Sequence, residues 1–206
     1  MCSCYSCFRS SFSQTEIPFF CISFAKRGYV AASVNYRLVS FLNIVSFLTN
    51  QDEQYEAVLK ATSDVKAAVR YFRKDFISGN TFGIDTSTIF VGGSSAGGIT
   101  AIHLAYIDNI NDLPTSPFDI QAVANSLGGL EGDAGNIGYN SSISAVISFA
   151  GGINTVSWLD SSDEPIVSIQ GDADQTVAYN CRPGLGNPTV LTLCGAGEIH
   201  PQADLV

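Results

Sequence analysis

Positive charge is scarce in this chain. Its 206 residues include ten Lys and Arg against nineteen Asp and Glu, so the formal net charge at pH 7 is −9. The ten cations do not gather into a basic patch anywhere along the sequence. Binding to nucleic acid requires clustered Lys and Arg that neutralise phosphates. The composition therefore excludes a nucleic-acid partner and predicts a solvated acidic surface.

Long apolar runs are also missing. The longest, from Val39 to Leu48, is too short and too broken by Ser and Asn to span a bilayer. The first twenty residues do not match a secretory signal. Arg9 is their only basic residue, and polar residues interrupt every apolar stretch. We therefore expect a soluble protein without a membrane span, for which cytoplasmic and secreted locations both stay open.

Cysteine usage leaves one question open. The chain has six cysteines, which are Cys2, Cys4, Cys7, Cys21, Cys181 and Cys194. The leading C-x-C-x-x-C has no nearby His and no second C-x-x-C, so we expect no metal site. The last two cysteines flank a loop rich in Gly and Pro and would pair in an oxidising compartment. Whether they form a disulfide is not decided by the sequence.

Strand-like and helical segments alternate along the chain. Apolar residues recur at three- and four-residue steps between Glu53 and Phe76, which predicts a helix, and a second helix is predicted from Ala96 to Asp108. Strands are predicted at residues 29–36, 87–91, 143–149, 165–170 and 189–193. Strands joined by helical crossovers predict an α/β fold, in which a mainly parallel, twisted sheet carries helices on both faces. Ligands of such folds bind at the carboxyl ends of the strands, so the loops after Val91, Gln170 and Leu193 are expected to carry function.

The most informative stretch is VGGSSAGG, residues 91–98, between a predicted strand and a predicted helix. Phosphate-binding motifs such as G-x-x-x-x-G-K-[ST] and G-x-G-x-x-G do not fit it, so we expect no nucleotide cofactor. The pattern G-x-S-x-G fits from Gly93 to Gly97. It is typical of a nucleophile elbow, a tight turn that exposes a serine hydroxyl at a helix N-terminus. Shifting the pattern by one residue puts Ala96 where the second glycine must be, which favours Ser95 over Ser94 as the candidate nucleophile.

A serine nucleophile needs a base and an orienting carboxylate. Of the two histidines, His103 lies on the same predicted helix as Ser95, about 12 Å further along its axis, and is expected to be structural. His200 follows the last predicted strand and is therefore the candidate base. Asp172 and Asp174 compete for the role of the acid; Asp172 also suits a plain turn, whereas Asp174 lies further into the loop and is better placed to reach His200. The order Ser, Asp, His is the one expected for an α/β-hydrolase.

These blocks together resemble the α/β-hydrolases of the carboxylesterase and lipase type. The resemblance runs from about Phe24 to His200 through FAKRGYVAASVNYRL, SDVKAAVRYFRKDF, GGSSAGG and PIVSIQGDADQTVAY. It implies a nucleophile at Ser95, an acid at Asp174, a base at His200 and one oxyanion donor in the backbone N–H of Ala96. The implied chemistry is hydrolysis of small-molecule esters through an acyl-serine intermediate, without a cofactor or a metal.

The sequence departs from this family at both ends. Residues 1–27 contain no glycine, whereas relatives carry an H-G-G-type motif that supplies further oxyanion donors, and only six residues follow His200. We therefore divide the chain into a divergent Cys-rich segment, residues 1–23, and an α/β-hydrolase domain shortened at both ends, residues 24–206. The missing motif keeps a second hypothesis open, a non-catalytic binding domain of the same fold. A peptidase of this fold is a third.

One further segment bears on the size of the ester that the chain would accept. The Gly-rich connection from Leu127 to Asn140 is expected to lie over the carboxyl edge of the sheet and to help form the acyl pocket. It is too small for an elaborate lid, so we expect short-chain rather than long-chain esters.

Overall fold

A five-stranded parallel sheet forms the centre of the fold. The structure is a computed structural model and describes residues 2–5 and 16–206. The strands follow the order β2-β1-β3-β4-β5, and every neighbouring pair is parallel. Their bounds are β1 Cys2–Tyr5, β2 Val30–Ser33, β3 Phe90–Ser94, β4 Ala145–Phe149 and β5 Ile166–Ile169. The prediction of a mainly parallel sheet is confirmed.

Strand β1 lies inside the sheet, between β2 and β3. Its register pairs Ser3 with Ala31 on one side and with Phe90 on the other. The sequence predicted no element within residues 1–23, because CSCY carries neither an apolar run nor clear alternation. The carboxyl end of β1 consequently lies at the same edge of the sheet as the carboxyl end of β3.

Helices cover both faces of this sheet. They are α1 Glu16–Ala25, α2 Ile44–Thr49, α3 Gln51–Ile77, α4 Ala96–Tyr106, α5 Ile120–Ser126 and α6 Ala196–Ala203. Side chains alternate along a strand, so Val146 and Phe149 of β4 point to opposite faces. Val146 is fully buried in the core, whereas Phe149 stacks against Phe20 of α1 with ring centroids 5.1 Å apart.

The predicted long helix is confirmed as α3. Its buried residues include Leu59, Val65, Val69 and Phe72, which recur on one stripe and belong to the main hydrophobic core. The same core takes in α4 and the inner side of β3 and β4. In the part of the chain that the structure describes, no helix is both long and apolar enough to cross a membrane.

The last predicted strand, residues 189–193, is wrong in extent and in place. Asn187 and Val190 close a turn through a backbone hydrogen bond of 2.9 Å, so that only Thr192–Leu193 form a strand, β7. This strand pairs antiparallel with β6, Arg182–Pro183, in a separate two-stranded sheet. The parallel sheet therefore has β5 as its last strand along the chain, and the loop after Leu193 does not leave a carboxyl end of that sheet.

Candidate active site

Ser95 occupies a strained turn between β3 and α4. Its backbone angles are φ 52° and ψ −118°, a conformation that side chains other than glycine seldom adopt. Its backbone N–H donates a 2.8 Å hydrogen bond to the carbonyl oxygen of Phe149 at the end of β4. The strand pairing that aligns Ser94 with Phe149 thus continues into the turn itself. We call this turn, residues 93–97, the elbow; that it presents a nucleophile stays a prediction.

Small residues make this turn sterically feasible. A Cβ at Gly93 would overlap with the carbonyl group of Gly97, which lies in the first turn of α4. A Cβ at Gly98 would lie 3.0 Å from the Cα of Gly151, in the segment that follows β4. The G-x-S-x-G pattern therefore reflects close approach of three backbone segments around Ser95.

The start of α4 presents free backbone donors beside the serine. Ala96 is the first residue of the helix, and no carbonyl or side chain among the described residues accepts a hydrogen bond from its N–H. Such unpaired N–H groups at a helix N-terminus favour negative charge. Within the same described part of the chain, the Ser95 hydroxyl has no hydrogen-bond partner either. Residues 6–15 lie outside the described residues.

Asp174 lies in the loop that leaves the carboxyl end of β5. One of its carboxylate oxygens accepts hydrogen bonds from the backbone N–H groups of Thr176 at 2.8 Å and Val177 at 3.1 Å. Arg182 of β6 donates to its carbonyl oxygen at 2.7 Å. By contrast, Asp172 is exposed. Of the two competing aspartates, Asp174 is the one that the loop holds in place.

Gln170 organises this loop, a role that the sequence did not predict. Its amide nitrogen donates to the carbonyl oxygens of Val177 at 2.8 Å and Ala178 at 3.3 Å. Its amide oxygen accepts a 2.7 Å hydrogen bond from the N–H of Ala196, the first residue of α6. A polar residue directly after an apolar strand was the available signal. Gln170 joins the end of β5, the loop of Asp174 and the start of α6.

His200 lies inside α6 rather than in a loop, which corrects the predicted placement. The helix starts beside Gln170, and near its other end Gln202 contacts the carbonyl oxygen of Leu159 at 3.5 Å. Leu159 precedes β5, so the helix runs back from the carboxyl edge towards the amino ends of the strands. His200 is about 7.5 Å further along the helix axis than Gly195. The placement was wrong because residues 196–203 continue as a helix after the short strand β7.

No hydrogen bond connects any two of Ser95, Asp174 and His200 within residues 2–5 and 16–206, where Asp174 is instead engaged by the backbone of its own loop. Ser95 and Asp174 follow β3 and β5, at the same edge of the sheet, with β4 between these strands. Their roles and that of His200 stay predictions.

His103 is a buried packing residue, as predicted. Its Nδ1 lies 2.8 Å from the carbonyl oxygen of Ile99, and its Nε2 lies 3.4 Å from the backbone nitrogen of Asn154. A neutral ring that donates from Nδ1 and accepts at Nε2 satisfies both contacts. Burial lowers the pKa of His103 to about 4. His103 thus joins α4 to the segment that follows β4.

The Gly-rich segment lies at the opposite edge of the sheet from Ser95, so the expectation that it forms an acyl pocket is wrong. Arg70 of α3 is fully buried and donates to the carbonyl oxygens of Glu131, Ala134 and Gly135. Arg73 joins Thr86 and Ser142, which precede β3 and β4 respectively. A cavity of about 880 Å³ lies between this segment and the last turn of α4. Two buried side chains of α3, Lys66 and Arg70, hold the segment at this edge. The spacing of the glycines in the sequence does not indicate these contacts.

Cys181 and Cys194 form a disulfide, which answers the question that the sequence left open. The bond closes the hairpin of β6 and β7. Backbone hydrogen bonds of 2.9 and 2.7 Å also pair Cys194 with Ile153, in the segment that follows β4. The hairpin is therefore anchored next to the segment that packs on the elbow.

Comparisons with known proteins place this geometry among the α/β-hydrolases. Esterase 2 of Thermogutta terrifontis, in a form phosphorylated by paraoxon, is 21% identical over 86% of this chain and 60% of its own, with a TM-score of 0.59. A bifunctional GH43-CE protein of Bacteroides eggerthii is 19% identical over 86% of this chain and 27% of its own, with a TM-score of 0.60. A truncated carbohydrate esterase from gut microbiota is 18% identical, covers 86% of this chain and 68% of its own, and has a TM-score of 0.57.

These structures share the fold of the chain. The chain spans about 60% of the length of the T. terrifontis esterase. No curated protein matches its sequence. The sequence profile of the BD-FAE family matches residues 10–157, which is well over half of the chain. The chain belongs to the BD-FAE family, which is of the α/β-hydrolase type.

Proposed function

We propose that the chain is a serine esterase that cleaves short-chain carboxylic esters through an acyl intermediate on Ser95. The observation that carries this proposal is the backbone of Ser95, with φ 52° between β3 and α4. A strained conformation persists only where the surrounding structure enforces it, and strain of this kind clusters at functional sites. Here the enforced turn exposes a hydroxyl at the start of a helix.

The proposed reaction has two steps. The Ser95 oxygen attacks the ester carbonyl carbon while its proton passes to a base, and the alcohol leaves with that proton as the acyl-serine bond forms. Water then attacks the acyl-serine, its proton passes to the same base, and the acid is released as Ser95 regains its hydrogen. The negatively charged oxygen of each tetrahedral intermediate would bind the N–H of Ala96.

Asp174 and His200 are proposed as the acid and the base. The support for Asp174 is its position in the loop after β5, held by two backbone N–H groups. The support for His200 is its order in the sequence, after Ser95 and Asp174, and the fact that His103 is buried and engaged on both ring nitrogens. Catalysis through His200 requires its side chain to reach the carboxyl edge, where α6 begins beside Gln170.

Short acyl groups are proposed as substrates on the strength of one relative. A structure of T. terrifontis esterase 2 holds propionate, and another is phosphorylated by paraoxon.

Labelling by an organophosphate tests the proposal directly, since it requires an activated serine and not merely an exposed one. We would treat the purified chain with paraoxon or a fluorophosphonate and locate the adduct by peptide mass spectrometry. An adduct on Ser95 that is lost in Ser95→Ala supports the proposal. Ser94→Ala, one residue away on β3, is the matched control and should still be labelled.

No hydrogen bond joins the three candidate residues in the described part of the chain, which favours a second function, a non-catalytic binding domain of the same fold. An unlabelled Ser95 in a folded chain would support this alternative. Peptide substrates assayed beside p-nitrophenyl acetate distinguish the third possibility, a peptidase, because only a peptidase would cleave amides at comparable rates.

A further inference from the structure

Two stretches of the chain without any charged residue meet at the carboxyl edge of the sheet. Residues 38–50 and 183–193 contain thirteen and eleven residues respectively, and none of them is Asp, Glu, Lys, Arg or His, in a chain with a net charge of −9. Together they form what we call the uncharged surface. Another charge-free stretch, residues 134–159, runs largely through β4 and the core, where charge is excluded for structural reasons.

Specific hydrogen bonds hold the two stretches together. The Thr189 hydroxyl donates to the carbonyl oxygen of Leu48 at 2.6 Å. Gln54 of α3 is buried and bridges both sides, donating to Phe47 at 2.7 Å and Thr189 at 3.3 Å and accepting from the N–H of Leu191 at 2.8 Å. The uncharged surface is therefore a defined part of the fold.

Several of its described apolar side chains are exposed to solvent. Helix α2 has no buried residue. Leu42, in the short turn just before α2, and Val45, in its first turn, are 91% and 74% exposed. Leu185 from the second stretch is 55% exposed. These side chains contribute little to packing within the fold. A partner that covers them would therefore gain the free energy of burying their apolar area.

The uncharged surface adjoins the candidate active site. Residues 38–50 follow β2 from its carboxyl end, and the N–H of Leu185 donates a 2.8 Å hydrogen bond to Thr176, in the loop of Asp174. Charged residues mark its limits, namely Arg37, Asp52, Glu53 and Arg182. The Glu53 carboxylate lies at the edge of α2, where it accepts a 2.6 Å hydrogen bond from the Ser46 hydroxyl. An apolar centre with a polar rim beside a site is the arrangement expected of an interaction surface.

We propose that the uncharged surface docks on a lipid–water interface whose headgroups carry no net charge. An anionic lipid surface would be repelled by the chain, and a second copy would bring the same net charge of −9 against it. A zwitterionic surface accepts exposed Leu and Val side chains without requiring any cation on the protein. The inference concerns binding and does not depend on the proposed hydrolysis.

Flotation with phosphatidylcholine vesicles tests the proposal, with the full chain in its disulfide-bonded form. The wild type should float with the vesicles, and the double variant Leu42→Asp, Val45→Asp should lose this binding by about tenfold or more. Leu185→Asp, on the second stretch, should weaken it as well. Ile77→Asp is the matched control, because Ile77 is 73% exposed but ends α3 at the opposite edge of the sheet; it should bind like the wild type.

Three results would overturn the proposal. These are a wild type that does not float, equal flotation of the wild type and the double variant, and stronger binding to phosphatidylglycerol than to phosphatidylcholine. A wild type that dimerises in sedimentation velocity without binding vesicles, and is made monomeric by the double variant, would identify a second copy as the occupant instead. Ser95→Ala should float like the wild type, which separates failure of this inference from failure of the proposed hydrolysis.

Discussion

The backbone N–H of Ser95 donates a 2.8 Å hydrogen bond to the carbonyl oxygen of Phe149. This bond fastens the turn after β3 to the end of β4, so the position of the candidate nucleophile is set by the sheet and not by the turn alone. Phe149 in turn stacks on Phe20 of α1. The elbow is therefore supported from both faces of the sheet, by α4 on one side and by α1 on the other.

A methyl group at Gly93 should disrupt the elbow. Because the added Cβ would overlap with the Gly97 carbonyl group, we expect Gly93→Ala to lower the free energy of unfolding by about 1–3 kcal/mol. Urea denaturation measures this change. Gly135→Ala is the control, since an added Cβ there meets nothing within 4 Å, and it should stay within about 0.5 kcal/mol of the wild type. Equal effects of the two substitutions would contradict the packing described for the elbow.

His103 should make the fold less stable as the pH falls. Its pKa is about 4 in the folded chain, against an ordinary value of 6.5, so between these values the unfolded chain binds the extra proton. The contribution of the neutral ring is fully present above pH 6.5 and decreases towards pH 4, by at most roughly 3 kcal/mol. Asp163 acts in the opposite direction, because burial, with a contribution from neighbouring carboxylates, raises its pKa to about 6.

Comparison with His103→Gln isolates the histidine contribution, because Asp163 is present in both proteins. We would measure the free energy of unfolding by urea at pH 7.5 and at pH 4.5. The wild type should lose more stability than the variant over this range. Parallel pH profiles in the two proteins would show that His103 is not buried as a neutral ring.

Reduction of the disulfide should destabilise the chain. The bond joins residues thirteen apart, and a loop of about this length predicts a loss of about 3 kcal/mol when it opens. Thermal unfolding with and without a reductant measures the effect. The double variant Cys181→Ser, Cys194→Ser should already be destabilised and should not respond further to the reductant. A wild type that is indifferent to reduction would contradict the anchoring role of the hairpin.

Replacing the candidate base tests the proposed role of His200. If it takes the proton from Ser95, His200→Gln should lower kcat for p-nitrophenyl butyrate by about a thousandfold or more, and Asp174→Asn should have a similar effect. His103→Gln, assayed at matched folded content, should keep its activity because His103 lies within the core. Unchanged kcat in His200→Gln beside an active wild type would assign the base to another group.

The sequence predicted those parts of the fold that depend on local periodicity. Helix α3 was predicted from the spacing of its apolar residues and is observed from Gln51 to Ile77. The strand before the elbow was predicted too early, at Ser87. Asp85 accepts hydrogen bonds from both the N–H and the hydroxyl of Ser87, and this turn delays β3 to Phe90. Side-chain bonding within such a turn leaves no periodic signal.

Contacts between residues far apart in the sequence explain why the other predictions of strands and of site placement were wrong. Strand β1 is polar and short, and only its pairing with β2 and β3 makes it a strand. The Gly-rich segment is held at the amino edge of the sheet by Arg70, which lies about sixty residues earlier in the sequence. His200 was assigned to a loop because the turn at Asn187 and the separate hairpin could not be foreseen. In the elbow, by contrast, pattern and geometry coincide, since glycine spacing directly reflects the close approach of the backbone.

Hydrolysis of p-nitrophenyl butyrate by the wild type, Ser95→Ala and Ser94→Ala tests the central claim most directly. With all three proteins at matched folded content, we expect Ser95→Ala to lose at least about a thousandfold in kcat/KM, whereas Ser94→Ala stays within about tenfold of the wild type. Equal rates in the wild type and Ser95→Ala would contradict the account, and Ser95 would then be a strained turn residue of a fold that binds but does not cleave.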